Sequence, residues 1–261
     1  MTATNADGRW FVNYRPNPRA KLKLFCFPYA GGSSAIFSRW PKALAPDVDL
    51  WAAEYPGHGV RRAEPPLAQI ERLADEFLSH LMPHLKAPFA VFGHSLGALV
   101  AFEILRRLRA GAGDAGRTPA GFFAAGCRAP AVQAERRAAE LVSNPDFAAE
   151  LRAFSKMAAD MPAHDELVTI ATPALRADFE AWKTYDYAGE AALRCPVFAY
   201  GGLADPAVTR DDLDAWAGET SAAFGVRMFP GDHFFIHGAE PMLLRVLSMD
   251  LRQAAAAKKL A

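Results

Sequence analysis

Within Gly93-His94-Ser95-Leu96-Gly97 a serine stands between two glycines at the spacing Gly-x-Ser-x-Gly. After a short apolar run and before a helical one, this spacing reads as a nucleophile elbow, a strained strand-to-helix turn that lifts the hydroxyl clear of the backbone. The glycines are needed because neighbouring chain passes close and leaves no room for a Cβ. A serine hydroxyl is a poor nucleophile at neutral pH, so it needs a general base within hydrogen-bond reach and a carboxylate to orient that base. On this type of turn the chain order is serine, then Asp or Glu, then His. Two histidines stand near the C-terminal end, His233 and His237. His233, in Pro230-Gly231-Asp232-His233-Phe234-Phe235 directly after a strand-like run, is assigned as the base; His237, four residues on and expected inside a helix, is its rival. Asp205, in Leu203-Ala204-Asp205-Pro206 after Gly201-Gly202, is assigned as the orienting acid. Asp232 is a second choice, and Asp211, Asp212 and Asp214 read instead as charges opening a helix.

An attacked carbonyl also needs two N–H groups aimed at its oxygen. One is expected from Leu96, immediately after the nucleophile, and the other from the loop Pro28-Tyr29-Ala30-Gly31-Gly32, where Ala30 is favoured. No Lys-Ser or Lys-Thr follows Gly31-Gly32, which excludes a phosphate-binding P-loop.

These residues must be held by strands and helices. Phe89-Ala90-Val91-Phe92 is an uncharged run suited to a central parallel strand buried on both faces. Leu96, Val100, Ile104, Leu105 and Leu108 then recur at helical spacing, with Glu103, Arg106, Arg107 and Arg109 on other faces. Further strands are expected at 22–27, 49–53, 122–126, 196–200 and 226–229, alternating with helical patterns. That alternation predicts an α/β protein: a mostly parallel central sheet with helices on both faces. The interval from about Val132 to Tyr187 reads as helices with no strand between them, an insertion suited to a lid over the crevice at the strands' carboxyl ends. One domain over 1–261, carrying this lid, is expected.

Composition narrows the partners. Lys+Arg and Asp+Glu both total 29, and a net charge of zero argues against nucleic acid or an anionic membrane as the main partner. The first ten residues are polar with no apolar core, and the longest uncharged run, Ala87–Phe102, is too short to span a bilayer, so a cytoplasmic protein is expected. Cys26, Cys127 and Cys195 are too few and scattered for a disulfide framework or a zinc site and read as buried free thiols; no metal site is expected.

The motifs together resemble the type II thioesterases of polyketide and nonribosomal peptide biosynthesis, members of the α/β-hydrolase superfamily. The resemblance spans roughly residues 20 to 250 and rests on Pro28-Tyr29-Ala30-Gly31-Gly32-Ser33, Tyr55-Pro56-Gly57, the elbow, Arg176-Ala177-Asp178-Phe179, Cys195-Pro196-Val197 and the Asp205 and His233 segments, in order. It implies an α/β-hydrolase fold with a lid near 132–187, the triad Ser95, Asp205 and His233, and the oxyanion pair Ala30 and Leu96. It implies hydrolysis of acyl thioesters carried on the phosphopantetheine arm of acyl or peptidyl carrier proteins, removing misprimed or stalled units. The carrier protein is then the partner, and no cofactor is needed beyond the arm on the substrate; a monomer is expected. Tyr29, Met157, Phe179 and Phe234 are candidate substrate contacts, as are Phe154, Met161 and Trp182. Two features depart from the common pattern: His58-Gly59-Val60 stands where an arginine-rich turn is more frequent, and Asp232 where glycine is. The alternatives are a carboxylesterase or lipase acting on oxygen esters, an in-trans product-releasing enzyme, and a non-catalytic binding module on the same fold.

Overall fold

The computed structural model describes residues 10–44, 46–85, 88–111, 118–133, 173–187, 189 and 191–260. Among these, seven strands form one sheet: β1 (Phe11–Val12), β2 (Leu22–Phe27), β3 (Val48–Ala53), β4 (Phe89–His94), β5 (Phe122–Ala125), β6 (Val197–Gly202) and β7 (Phe224–Phe229). Their spatial order is β1-β3-β2-β4-β5-β6-β7. Only β1 runs antiparallel, pairing Phe11 with Ala53; the other pairs are parallel. The strands at 22–27, 49–53 and 89–92 appear where the apolar runs placed them, β4 continuing to His94. β1 was not anticipated, because two residues cannot display an alternating pattern.

The order matters because it reverses. From β2 the chain crosses to β3 on one side, and from β4 it proceeds to β5 and β6 on the other. In an open α/β sheet the carboxyl ends of two such neighbouring strands diverge into a crevice where ligands bind. Phe27 pairs with Gly93, so the loop after β2 and the turn after β4 lie side by side at that point.

Every residue of β4 is buried, as a strand covered on both faces must be. The helix Ile70–Leu81 supplies one cover, burying Ile70, Leu73, Ala74, Phe77 and Leu81 on a single stripe at helical spacing. It packs beside the helix Leu96–Gly111. That second helix departs from the sequence reading. Glu103 and Arg106, expected on outward faces, are buried, and the Arg106 guanidinium donates to Glu103 Oε1 at 2.5 Å. Tyr185 Oη donates to the same carboxylate oxygen at 2.6 Å. A charge pattern shows which residues are polar, but it does not reveal that distant polar groups will satisfy them in the interior. The three cysteines are free and buried. Most of the expected lid, from 134 to 172, lies outside the described residues, as does Met157.

Phe77 is the hub of the cover, with its ring edge-on to Trp10, Phe11, Phe27 and Tyr55 at centroid distances of 4.9–5.5 Å. Phe77→Ala is expected to cost about 3–5 kcal/mol. Urea denaturation should show this as a lower midpoint at unchanged slope.

Candidate active site

Ser95 has φ of 54°, the one positive φ of a non-glycine residue among those described. An L side chain in this left-handed region costs on the order of 1–2 kcal/mol. The turn is pinned on both sides: the Ser95 amide donates to Ala125 O on β5 at 2.8 Å, and Ala98 N donates back to Ser95 O at 2.9 Å. The flanking glycines are steric necessities. A Cβ on Gly93 would collide with the Gly97 carbonyl oxygen, and one on Gly97 would collide with the carbonyl oxygens of Phe27 and Pro28. The helix thus starts hard against the end of β2, beside the loop proposed for the oxyanion.

The candidate base and acid stand on the loops after β7 and β6. His233 Nε2 lies 3.1 Å from Ser95 Oγ, and its Nδ1 lies 2.8 Å from Asp205 Oδ2. The Asp205 side chain is fully buried, and its other oxygen accepts the amides of Ala207 and Val208 at 2.8 and 3.2 Å. A carboxylate held this way accepts from Nδ1–H, so the imidazole keeps its proton there and offers a bare Nε2 to the serine hydroxyl. The two loops are stitched together: Leu203 N donates to Phe229 O and Ala204 N to Gly231 O. Asp232, the second choice for the acid, instead accepts the Phe234 amide at 2.8 Å. Thr209 and Asp212 form a capping box that opens the helix Arg210–Asp214, the use expected for that charged stretch.

The loop after β2 closes a tight turn, Gly32 N donating to Tyr29 O at 2.9 Å. A trans peptide points its C=O and N–H in opposite directions, so this bond aims the Ala30 N–H away from Gly32. Gly31, third in the turn, has φ of 77°, the positive value that a type II turn demands there. Neither the Ala30 nor the Leu96 amide donates to a backbone carbonyl among the described residues, which leaves both donors available.

Around this centre Tyr29 stands edge-on to Phe234, at 5.2 Å between ring centroids, and Phe234 is edge-on to His233 at 5.4 Å. Both side chains are nearly fully buried, so they wall the base. Phe179 and Trp182 are half-buried on the helix Pro173–Thr184 and pack on the core. His237, the rival base, shares a hydrogen bond with Tyr29 Oη at 2.9 Å, and burial lowers its pKa. Sequence reasoning gave His94 no role. Its Nε2 must donate to the His233 carbonyl at 2.9 Å, bracing the base from below. Nδ1 is buried with no partner among the described residues. Burial, and then the nearby His233 and His237, hold its pKa well below the usual value, so it is neutral. Its place inside the elbow motif was the available signal. Among the described residues no group of acidic, cysteine or histidine side chains could hold a metal ion, and no helix is long and apolar enough to cross a membrane.

Comparison with known proteins identifies the family. The chain matches the family model for the thioesterase domain over residues 22–250. It is 33% identical over 258 residues to the gramicidin S biosynthesis protein GrsT of Aneurinibacillus migulanus, covering 99% of this chain and 100% of that one. It is 37% identical over 235 residues to the thioesterase PikA5 of Streptomyces venezuelae, covering 89% and 82% of the two chains. The solved structure of the type II thioesterase BorB from the borrelidin biosynthetic cluster superposes with a TM-score of 0.80 at 35% identity, covering 96% of this chain and 99% of that one.

Gly97→Ala should displace the nucleophile helix from the end of β2 and carry Ser95 away from His233. Since a 1 Å misplacement can cost about 10²-fold in rate, Ser95 labelling by a fluorophosphonate should slow by about that factor. Mass spectrometry of the adduct over time measures it.

Proposed function

Because the chain belongs to the thioesterase family, we propose that it is a stand-alone type II thioesterase acting on acyl groups held by the phosphopantetheine arm of acyl or peptidyl carrier proteins. Its task would be to free a polyketide or nonribosomal peptide synthase of aberrant or stalled units. The observation that carries the reading is the hydrogen-bonded line from Asp205 through His233 to Ser95, set at the crevice between β2 and β4. The relatives support the substrate class: GrsT is a gramicidin S biosynthesis protein matched over its full length, and BorB a type II thioesterase of a biosynthetic cluster.

The cycle uses this chain's own groups. Ser95 Oγ attacks the thioester carbonyl carbon while its proton passes to His233 Nε2, and the new imidazolium is stabilised by Asp205. The carbonyl oxygen becomes an oxyanion, for which the Ala30 and Leu96 amides are the proposed donors. Collapse of the tetrahedral adduct breaks the C–S bond, and the departing sulfur leaves as thiol with the His233 proton. A thioester is a good acylating agent, so this departure needs little help. Water then gives a proton to His233 and attacks the acyl-serine, releasing the carboxylic acid and restoring the Ser95 hydroxyl. No cofactor enters this cycle, and the phosphopantetheine belongs to the substrate.

One acyl series on carrier protein, on CoA-type thioesters and on p-nitrophenyl esters tests the proposal. Faster turnover on carrier-bound thioesters, lost in Ser95→Ala, is the expected result. Equal or better turnover on oxygen esters without carrier benefit would point to an esterase, and activity surviving Ser95→Ala would sink the mechanism. Asp205→Asn should lower kcat by about 10⁴-fold, because the amide no longer selects the Nδ1–H tautomer.

A further inference from the structure

A second histidine–carboxylate pair meets the loop after β2. His58, in the turn after β3, places Nε2 2.9 Å from Asp178 Oδ2, on the helix Pro173–Thr184. The two side chains are 3% and 2% exposed. The same Asp178 oxygen accepts the Gly31 amide at 2.7 Å. We infer that His58 and Asp178 are a positioning pair for the oxyanion hole, a buried imidazolium holding the carboxylate that locks the Tyr29–Gly32 turn. The inference rests on the acyl-hydrolase reading above and adds residues to it.

The protonation follows from the partners. His58 Nδ1 lies 3.0 Å from the Pro56 carbonyl, which can only accept, so Nδ1 carries a proton. The remaining proton, between Nε2 and Asp178, sits on the imidazole, the more basic of the two groups. Burial opposes this charge, yet the Asp178 carboxylate, its hydrogen bond, the Pro56 carbonyl and then Glu54 together raise the His58 pKa above its ordinary value. The Tyr55 ring is edge-on at 5.7 Å, and Glu54 is itself bound to Ser34 Oγ, which meets Tyr14 Oη. Arg61, in the same turn as His58, donates to the Glu54 carbonyl and to Glu64.

The lock acts on one peptide. Type I and type II turns differ by a flip of the central peptide, here Ala30–Gly31. Asp178 holds its N–H; a flip would turn the Ala30 carbonyl oxygen towards the carboxylate, an arrangement of like charge. The Gly32-to-Tyr29 bond orients the preceding Tyr29–Ala30 peptide, which carries the proposed Ala30 donor, and the carboxylate keeps the turn in its type II form and tethers it to the helix Pro173–Thr184. As pH rises through the raised His58 pKa, Nε2 loses its proton and opposes the carboxylate with a lone pair. The pair's contribution to stability is therefore complete below the ordinary histidine pKa and lost above the raised one, and kcat should acquire an alkaline limb there.

Asp178→Asn, His58→Ala and His58→Gln in the full chain test this. Side-chain ¹⁵N NMR should show His58 doubly protonated above the usual histidine range in the wild type, with its midpoint falling in Asp178→Asn. This arm does not depend on any substrate. Asp178→Asn and His58→Ala should each lower kcat and the rate of fluorophosphonate labelling of Ser95 by about 10²-fold, the scale of one lost oxyanion donor. KM should stay within about twofold, since ground-state binding is untouched. His58→Gln keeps an N–H for Asp178 without a titrating group, so it should recover at least tenfold of the His58→Ala loss and lack the alkaline limb. Folded Asp178→Asn enzyme with wild-type kcat and labelling rate, or a His58 that titrates at or below the ordinary value, would overturn the inference. A wild type that labels on Ser95 but ignores every thioester would refute the thioesterase reading alone, and the labelling rates would still decide the pair.

Discussion

The close passage of the nucleophile helix past the end of β2 is the constraint on which the site depends. Gly97 lies so near the carbonyls of Phe27 and Pro28 that no side chain fits between them. That contact fixes the start of the helix and forces Ser95 into a left-handed backbone conformation. It also places the hydroxyl beside the loop that turns at Tyr29–Gly32. The strain is balanced by the bond from the Ser95 amide to β5 and by a strand buried along its whole length. A less rigid sheet would let the turn relax and lose the alignment with His233.

The remaining parts are held by buried polar pairs rather than by apolar packing alone. Loops at the strand ends lie beyond the regular ladder, so their backbone and side-chain groups must find specific partners. Asp205 is satisfied by two amides as well as His233, and the His233 carbonyl by His94. Asp178 joins the Pro173–Thr184 helix to the Tyr29–Gly32 turn. Glu103, on the helix Leu96–Gly111, takes Arg106, Arg107 and Tyr185 together. Buried charges of this kind return little net stability, because desolvation offsets their attraction. Their evident effect is geometric: a half-satisfied alternative packing would strand a charge, so one arrangement is strongly preferred.

Much of this was legible in the chain. The elbow announced itself because the turn tolerates only certain residues at fixed local spacing, and the apolar runs marked the central strands because burial on both faces leaves no room for alternation. Asp205 and His233 could be picked as candidates because each follows a strand at its carboxyl end, and the structure brings both into a hydrogen-bonded line with Ser95. Glu103 and Arg106 were misplaced, and His58 and Asp178 were noticed only as motif residues. Their meaning lies in partners 82 and 120 positions away in the chain.

Sequence by itself determined the local events: which turn must carry the serine, which runs become strands, and which histidine can follow the last of them. These depend on sterics and periodicity within a few residues. Only the tertiary structure decided that the chain reverses its direction of winding between β2 and β4, so that the serine meets the loop after β2 there. It also decided which buried charges pair and which histidines stay neutral. Those outcomes depend on desolvation and on contacts between segments far apart in the chain, and no local pattern records them.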